Sequence, residues 1–401
     1  MDLSMDLSIE RAVAGGVGLG HASDGRVVLV EGALPDERVT VEVRAEHPRW
    51  LEAKVAAVLD PAPGRREPPC PAVALGCGGC DLQHADDRTQ REIRREIVVD
   101  ALRRLGRLVD PLVLAGPDLP TTGYRTTLRC LVENGRAGLR RRQSHEAVVT
   151  GDCLVAHPLI AELLLEGDFG SAHEVTLRAG TRTGERLVVA DPTAEGVTVP
   201  DDVVVVGADE LARGRSACFH EAAARRIWRI SARSFFQSSP EGAEALADLA
   251  FEASADLLVE GARVVDLFGG VGWFAGAFFD RAPGLELELV ERSRGAAADA
   301  RHNLADTAAN VVARPVEQWR PSPADVVVAD PARTGLGAGV VDAVVATEAQ
   351  RVVLVSCDPA SLGRDAGLLV AAGYVHVTST LVDLFPQTSH VEVVTRFDRV
   401  G

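Results

Sequence analysis

The feature that most constrains the fold is a regular alternation of apolar strands and helical segments in the carboxyl-terminal part of the chain. From about residue 241, the helical pattern "PEGAEALADLAFEA" precedes the strand "RVVDLF", and the strands "LELELV", "DVVVAD" and "RVVLVS" are each followed by a further helix. Apolar strands that alternate with helices predict a doubly wound, mainly parallel sheet with its site at the carboxyl ends of the strands. Two apolar strands near 374–382 and 390–397 end the pattern. We therefore predict a Rossmann-like α/β domain over residues 231–401.

The amino-terminal residues have a different pattern. Residues 1–60 contain short strands such as "RVVLVEGAL" and "RVTVEVRAE", separated by Gly-rich turns, which predict a small β-barrel. The segment "DPAPGRREPP" resembles a linker. Residues 61–230 mix strands with an Arg-rich helical pattern at about 84–106, so we predict a central α+β domain there.

Composition excludes several classes of protein. The 401 residues are 46% hydrophobic, enough for buried cores, yet no apolar run approaches the roughly 20 residues that a membrane helix needs. The first residues lack the basic and apolar regions of a signal peptide. We therefore expect a cytoplasmic protein without membrane contact, and we expect a monomer.

Charge argues against indiscriminate binding of nucleic acid but not against a focused site. The net charge is −16, the opposite of a general nucleic-acid binder. Two stretches are nevertheless locally basic: "REIRREIVVDALRRLGR" and "RAGLRRR", which contains no acid. Each is either a solvated surface or part of a binding site, and the sequence leaves both interpretations open.

A glycine-rich loop follows the first strand of the predicted sheet. In "DLFGGVGWFA", Gly270, Gly272 and Ala275 form G-x-G-x-x-A, and Glu291 ends the next strand, 19 residues past Gly272. Glycine lets the backbone turn tightly against a ligand, and a carboxylate after the second strand can accept both hydroxyls of a ribose. This predicts a nucleoside-type ligand near Gly270 and Glu291. It does not separate NAD from S-adenosylmethionine, and a merely tight strand–helix turn is the alternative.

Two further strand ends carry candidate reactive groups. Asp330 ends a strand in "VVVADPARTG", a tip typical of methyltransferases that act on bases. Cys357 lies between the strand "RVVLVS" and a helix that begins near Pro359, where helix amides would lower the pKa of a thiol. A thiolate is needed to methylate C5 of uracil, because C5 becomes nucleophilic once sulfur has added to C6.

Such a reaction also needs a base that removes the C5 proton. The segment "DLFPQTSHVEVVTRF" offers His390 and Glu392. We favour Glu392, because an acid inside an apolar strand is costly unless it is used or paired, and burial raises its pKa toward a useful range. The alternative is a salt-bridged strand carboxylate.

Four cysteines suggest a metal centre. Cys70, Cys77 and Cys80 form C-x6-C-x2-C, and Cys153 supplies a distant fourth thiol. Four thiolates can hold either a 4Fe–4S cluster or tetrahedral zinc, and the spacing leaves these alternatives open.

In these motifs, over almost the whole chain, the sequence resembles the S-adenosylmethionine-dependent RNA 5-methyluridine methyltransferases that act on bacterial 23S rRNA and tRNA. The family motifs are matched by "SFFQSS", "DLFGGVG", "VER", "DPARTG", "SCDPASLGRD" and "DLFPQTSHVE". The resemblance implies that Cys357 is the nucleophile and Glu392 the base. It also implies that four residues contact the cofactor S-adenosylmethionine: Gln237, Phe268, Glu291 and Asp330.

The resemblance extends to the rest of the chain. It implies that the barrel is a TRAM-like RNA-binding module, that the four cysteines hold a 4Fe–4S cluster rather than zinc, and that the 84–106 helix packs on the catalytic domain with arginines near RNA phosphates. The implied partner is RNA, with 23S rRNA favoured by the TRAM-like barrel and tRNA as the alternative. The chain departs from the family at Gly269, usually Cys, at Ala332, usually Pro, and at Asp358, usually Asn.

Two other classes of protein remain open at this point. A non-catalytic RNA-binding or assembly factor would keep the fold and the metal centre. An NAD-dependent oxidoreductase with an iron–sulfur cluster would use the glycine loop but leave the Cys357 motif without a role.

Overall fold

The computed structural model describes residues 4–400, so the outermost residues of the first and last predicted domains lie outside it. The amino-terminal part forms a six-stranded sheet whose alternate residues, among them Val28, Val30, Val39 and Val41, are buried in a separate hydrophobic core. This period of two is what a sheet covered on one face requires. The strands, in the spatial order β1-β5-β6-β4-β3-β2, are β1 (Ser4–Ser8), β2 (Arg11–Val13), β3 (Val17–His21), β4 (Val27–Glu31), β5 (Arg38–Glu46) and β6 (Trp50–Asp60).

The middle of the chain forms a second six-stranded sheet, covered by one helix. Leu163, Leu164 and Ile160 of that helix are buried against the sheet. The spatial order of the strands is β10-β9-β8-β12-β13-β15. The elements are α1 (Asp87–Arg104), β7 (Val113–Ala115), β8 (Thr127–Glu133), β9 (Arg136–Arg140), β10 (Ala147–Val149), α2 (Pro158–Glu166), β11 (Asp168–Phe169), β12 (Glu174–Ala179), β13 (Arg186–Asp191), β14 (Val197–Thr198), β15 (Val203–Gly207) and α3 (Ala208–Ala212).

The carboxyl-terminal part is the predicted α/β domain. A hairpin leads into it, and an eight-stranded sheet follows in the spatial order β20-β19-β18-β21-β22-β24-β23-β7, parallel except where β24 lies antiparallel to its two neighbours. The elements are β16 (Cys218–Ala223), β17 (Arg226–Ser231), α4 (Pro240–Ser254), β18 (Arg263–Leu267), α5 (Trp273–Arg281), β19 (Glu286–Glu291), α6 (Arg294–Asn303), β20 (Asn310–Ala313), β21 (Val326–Ala329), α7 (Gly337–Ala346), β22 (Arg351–Ser356), α8 (Pro359–Ala371), β23 (Tyr374–Val382) and β24 (Glu392–Arg399).

Both faces of this sheet are buried, which explains the unbroken apolar strands. Val264 of β18 belongs to one hydrophobic core, with α4, α5 and α6, whereas its neighbour Val265 belongs to another, with α1, α7 and α8. The same alternation repeats along β21 and β22. Helices therefore cover both sides of the sheet, as the sequence predicted.

Helix α1 and strand β7 join the α/β layer although they precede the central sheet in the chain. The helix begins after Asp86, whose side chain accepts a hydrogen bond from the Thr89 amide at 2.8 Å. Its apolar face, including Ile97 and Leu102, packs against α8, and Gly363 permits close backbone contact there. Strand β7 pairs with β23. The boundaries at 60 and 230 stay predictions. Within residues 4–400, no helix has the length and apolar character needed to cross a membrane.

Candidate active site

The order of the strands brings the predicted site residues together along one edge of the sheet. Glu291 ends β19, Phe268 follows β18, Asp330 follows β21, Cys357 follows β22 and Glu392 begins β24. These five strands are consecutive neighbours in the sheet. Because β24 is antiparallel, its first residue lies at the same edge as the last residues of the others. Backbone pairing therefore places the glycine loop at one end of the row and the thiol at the other.

Cys357 and Glu392 are adjacent across two paired strands. The ladder between β22 and β24 ends with Ser356 opposite Val393, and one further step in the same register brings Cys357 opposite Glu392. The charge of Glu392 acts directly on the thiol, since it raises the pKa of Cys357. A nucleophile and a carboxyl group are thus held side by side by the sheet.

Several carboxyl groups at this edge have raised pKa values. Burial raises the pKa of Asp266 to about 8, with a further contribution from the charges of Asp330 and Glu291. Burial also raises the pKa of Asp330 to about 7. Glu392 is 3% exposed, and burial, followed by the charge of Asp330, raises its pKa well above the usual value. Within the described chain, Asp266 Oδ1 and Glu392 Oε1 are buried without a hydrogen-bond partner.

The pKa of Cys357 differs from the sequence-based expectation. Burial, followed by the charges of Glu392 and Asp330, raises the pKa of this thiol to about 12. The expectation of a lowered pKa was therefore wrong, because neighbouring carboxylates and burial outweigh the helix amides. Asp358 has a structural role, since its side chain accepts a hydrogen bond from the Ser361 amide at 2.7 Å and caps α8.

The glycine loop has the backbone that a closely bound ligand requires. Phe268, Gly270 and Gly272 all have positive φ angles, of 61°, 54° and 92°, and positive φ is costly for phenylalanine unless the surroundings impose it. Glu291 accepts a hydrogen bond from the Gly270 amide at 3.1 Å and so connects the loop to the next strand. At Gly269, where the resemblance leads one to expect Cys, a Cβ atom would lie 2.4 Å from Leu289 Cγ.

Gln237 reaches the row from the segment before α4. It is 8% exposed, and its Nε2 donates a hydrogen bond to Asp330 Oδ2 at 3.3 Å. The neighbouring phenylalanines differ, because Phe236 is 7% exposed and packs in the core, whereas the Phe235 side chain is 70% exposed. The motif "SFFQSS" therefore combines a core anchor with an amide at the site and an exposed aromatic ring.

Sequence reasoning missed the residue that supports the "DPARTG" loop. Asp365 of α8 accepts hydrogen bonds from the amides of Leu336 at 2.7 Å and Gly337 at 3.1 Å. A Cβ atom at Gly335 would lie 2.2 Å from Asp365 Oδ2, so the loop can approach the carboxylate because residue 335 is glycine. Asp365 lies in "SLGRD", whose function was not indicated by spacing alone.

The four predicted metal ligands line one small cavity. Cys70, Cys77, Cys80 and Cys153 surround it, together with apolar side chains and Gln83. The cysteine loop is fixed to the hairpin of β9 and β10, since Gly78 donates to the Arg140 carbonyl and Arg142 donates to the Gly76 carbonyl, each at 2.9 Å. Nevertheless, no three His, Cys, Asp or Glu side chains of residues 4–400 are placed to hold a metal ion. The metal centre stays a prediction.

A basic groove runs from the cysteine loop to the active-site edge. It is lined by Arg125, Arg129, Arg140, Arg141, Arg142, His145 and His390, among others, and its lining contains no acidic residue. No arginine of α1 is part of this lining: Arg94 is buried in an ion pair with Asp383, and Arg88 pairs with Glu92. The basic stretch "RAGLRRR" supplies this surface instead. A contact between α1 arginines and RNA phosphates stays a prediction.

The charge of the strand-end row decides which nucleoside-type ligand it suits. Asp266, Glu291, Asp330 and Glu392 converge there. The charges of Asp330 and Glu291 help to raise the pKa of Asp266, and the charge of Asp330 helps to raise that of Glu392, which indicates a surplus of negative charge. S-adenosylmethionine carries a sulfonium and an ammonium group, and positive charge at this position would relieve the repulsion. The pyrophosphate of NAD would add to it. The site therefore fits S-adenosylmethionine better than NAD.

Comparison with known proteins gives the same family. An RNA methyltransferase of uncharacterised specificity from Streptomyces avermitilis is 35% identical, covering 97% of this chain and 96% of that protein. The 23S rRNA (uracil(1939)-C(5))-methyltransferase RlmD of Chromohalobacter salexigens is 32% identical, covering 96% of this chain and 87% of that protein. The chain belongs to the S-adenosylmethionine-dependent RNA 5-methyluridine methyltransferase family. No protein-family model matches it.

The fold of this methyltransferase also matches a solved structure. The tRNA (uracil-54, C5)-methyltransferase of Pyrococcus abyssi, in complex with S-adenosyl-L-homocysteine, superposes with a TM-score of 0.72, covering 98% of this chain and 99% of that chain. At 22% sequence identity, this likeness shows the fold. An enzyme of this family uses S-adenosylmethionine, and the alternative of an NAD-dependent oxidoreductase is therefore wrong.

Proposed function

We propose that this enzyme transfers a methyl group to C5 of a uridine in RNA, and that its substrate is 23S rRNA. The observation that carries the proposal is the position of Cys357 opposite Glu392, at the edge where the glycine loop lies. A methyltransferase acting on an oxygen or nitrogen atom needs no thiol there, whereas C5 of uracil does.

The proposed chemistry uses each group once. The Cys357 thiol gives its proton to solvent and its sulfur forms a bond to C6 of uracil, while the electrons of the C5–C6 double bond move toward the C4 carbonyl to give an enolate. S-adenosylmethionine would supply the electrophilic methyl group to C5, and breaking of its methyl–sulfur bond would leave S-adenosylhomocysteine. Glu392 then removes the C5 proton, the electrons of that C–H bond restore the double bond, the C6–sulfur bond breaks, and Cys357 leaves as thiolate.

We assign the cofactor site to the row beside these two residues. Glu291 is placed to accept the ribose hydroxyls, the loop of Phe268 and Gly270 to lie against the nucleoside, and Gln237 with Asp330 to hold the part next to the thiol. Asp266 lies beneath the loop, where its amide partner Ala275 is 3.1 Å away. Its second oxygen is buried without a hydrogen-bond partner among the described residues.

We propose that Cys70, Cys77, Cys80 and Cys153 hold a 4Fe–4S cluster, with zinc as the alternative. Four thiols around one mostly apolar cavity are the donor set that such a cluster uses. The same four thiols would lie closer together around one zinc ion, because each zinc–sulfur bond is about 2.3 Å long. The centre would attach the cysteine loop to the central sheet beside the groove. This role is structural, because methyl transfer is not a redox reaction.

The basic groove is the proposed path of the RNA backbone. Arg140 and Arg141 are exposed, and their ion pairs with Glu174 and Glu146 lie at the surface, where phosphate can compete for them. We assign the amino-terminal sheet to a TRAM-like RNA-binding module, linked to the groove by the Arg142–Glu31 ion pair at 2.8 Å. The exposed Phe235 ring offers a surface on which a splayed base can stack.

The choice of 23S rRNA rests on the RlmD relatives, of which the protein from Halomonas elongata is 32% identical over 96% of this chain. A tRNA substrate and a non-catalytic RNA-binding or assembly factor are the two alternatives to be tested.

We expect 5-methyluridine to appear, by nucleoside mass spectrometry, in rRNA lacking that modification after incubation with S-adenosylmethionine and wild-type enzyme. Cys357→Ala should yield none. Product in tRNA alone would overturn the rRNA assignment, and product in neither RNA would favour the binding factor.

A further inference from the structure

The segment that carries Glu392 into the site is held by residues from the other end of the chain. Residues 383–391, here called the strap, connect β23 to β24 and end directly before Glu392. Asp81 Oδ1 accepts a hydrogen bond from the Ser389 amide at 2.7 Å, and Asp81 Oδ2 accepts one from the Ser389 hydroxyl at 2.6 Å. One carboxylate thus fixes the backbone and the side chain of a residue three positions before Glu392.

The backbone around Asp81 reinforces this attachment. The amides of Asp81 and Leu82 both donate to the Gln387 carbonyl, at 3.2 and 3.0 Å. Gln387 itself has a φ angle of 70°, and Gln90 of α1 accepts a hydrogen bond from its amide at 2.8 Å. The strained turn is therefore held by outside partners, as strained backbone at a functional site must be.

Glu392 depends on this attachment more than its neighbours do. Its Oε1 has no hydrogen-bond partner among the described residues, so no side-chain contact of that oxygen fixes the carboxyl group. Its position comes from the backbone, through β24 on one side and the strap on the other. Proton transfer requires the base to lie within hydrogen-bond distance of the proton, and an error of about 1 Å can cost roughly a hundredfold in rate.

We propose that Asp81 is a positioning residue for Glu392, which acts through Ser389 and is needed for the elimination step more than for thiol addition. The inference rests on the proposed function, because it assigns Glu392 the removal of the C5 proton. Cys357 is anchored independently, at the end of β22 and the start of α8. Loss of the Asp81 carboxylate should therefore leave the nucleophile able to form its covalent bond to C6 while the bond breaks slowly.

The test compares Asp81→Ala, Asp81→Asn and Ser389→Ala with wild type. Asn can accept from the Ser389 amide and donate to the Ser389 hydroxyl, so Asp81→Asn should be rescued to within about threefold of wild type. Asp81→Ala should lower kcat by tenfold or more and lower the KM for RNA with it, because the adduct accumulates before the slowed step, and Ser389→Ala should give a kcat between those of the two Asp81 variants. Asp118→Ala is the control, since Asp118 is a fully exposed acid of the same region whose ion pair, at 3.9 Å, is with Arg91 of α1.

The readout that separates positioning from folding is the covalent protein–RNA adduct. With uridine RNA, Asp81→Ala and Ser389→Ala should accumulate a methylated adduct that survives denaturing electrophoresis, whereas wild type should not. With 5-fluorouridine RNA, whose C5 fluorine cannot leave as a proton does, all of these variants should trap equal amounts.

Two outcomes would overturn the inference. Asp81→Ala could turn over like Asp118→Ala, or Asp81→Ala and Ser389→Ala could lose trapping of 5-fluorouridine RNA in parallel with turnover, which would indicate a general loss of structure. Failure of the proposed function looks different, because wild-type enzyme would then neither form 5-methyluridine nor trap 5-fluorouridine RNA.

Discussion

The strand-end row and the basic groove are neighbouring surfaces with opposite charge. The row contains the acids Asp266, Asp330 and Glu392. Burial raises the pKa of all three, and the charge of Asp330 further raises the pKa of Asp266 and of Glu392. The groove is lined by arginines and histidines without an acid. A cationic cofactor suits the first surface and a polyanion the second. The net charge of −16 describes neither surface, because acidic residues are concentrated in the row and basic residues in the groove.

The two surfaces also differ in how they are built. The row is fixed by backbone pairing in a sheet that is buried on both faces, so its side chains have little freedom. The groove uses long, exposed arginines from β8, β9 and the turn after β9. Changes in the row should therefore affect the rate of the chemistry steeply, whereas changes in the groove should affect RNA affinity by smaller, additive steps.

The largest expected effect is at the buried end of the row. Glu392→Gln keeps the shape of the side chain but removes the base, so turnover should fall by about a hundredfold or more while S-adenosylmethionine still binds. Steady-state methylation and cofactor titration provide the measurement. His390 is the exposed alternative base, and His390→Ala should lower turnover by less than tenfold. A larger loss of turnover in His390→Ala than in Glu392→Gln would reverse the assignment of the base.

A charge change in the groove should affect binding instead. Arg140→Ala with Arg141→Ala should raise the KM for RNA about tenfold at unchanged cofactor affinity, and the slope of log affinity against log salt should fall by about 1.4, since each lost contact to a single strand removes about 0.7. Arg103→Ala with Arg104→Ala on α1 is the matched control, because those arginines pair with Asp110 and Asp100 away from the groove. Equal effects of the two pairs would argue against a groove-specific path.

The raised pKa values predict an alkaline activity profile. The elimination step needs Glu392 ionised, and its pKa is raised by burial and then by the charge of Asp330, so kcat should fall as pH decreases from alkaline values through that raised pKa. Asp330→Asn removes the like charge, so the acid side of the pH–rate profile should move to lower pH by roughly one unit, even though the variant is slower. A profile from pH 6 to 10 that is flat would contradict the electrostatic account of the row.

The smallest expected effect is on stability. A carboxyl group whose pKa is raised on folding binds its proton more tightly in the folded state, so stability falls as pH rises from about 4 to about 8, the folded pKa of Asp266. The measurement is the midpoint temperature of thermal unfolding without cofactor, at pH 6 and at pH 9. The difference between these two midpoints should be about 2 °C smaller in Asp266→Asn than in wild type. Cationic S-adenosylmethionine should stabilise the wild type more at pH 9 than S-adenosylhomocysteine does at equal saturation.

Much of the row could be predicted from the sequence because it lies at strand ends. The strands before Phe268, Asp330 and Cys357 are unbroken apolar runs, and parallel strands bring their carboxyl ends to one edge. The pairing of Cys357 with Glu392 did not follow from this rule, since it depends on β24 being antiparallel and inserted beside β22.

Residues that act through distant contacts could not be predicted in the same way. Asp81 and Ser389 are 308 positions apart, and Asp365 supports a loop 28 positions before it. No local pattern distinguishes such an acid from a solvated one. The raised pKa of Cys357 was missed for a related reason, because burial and neighbouring charges are properties of the folded molecule. The burial of Arg94 was missed for the same reason, since its partner Asp383 lies in the strap.

The attachment of the strap has a consequence for biosynthesis. The strap leaves the ribosome well after its anchors, since Ser389 lies 308 positions after Asp81. The other anchors, Gln90, Arg94 and Tyr124, also precede the strap in the chain. Amino-terminal elements fold first during synthesis, so they would wait with unpaired polar groups until the strap arrives. A nascent or truncated chain that already contains the glycine loop and Cys357 would lack a placed Glu392. Synthesis through the strap and β24 thus becomes the condition for a working base.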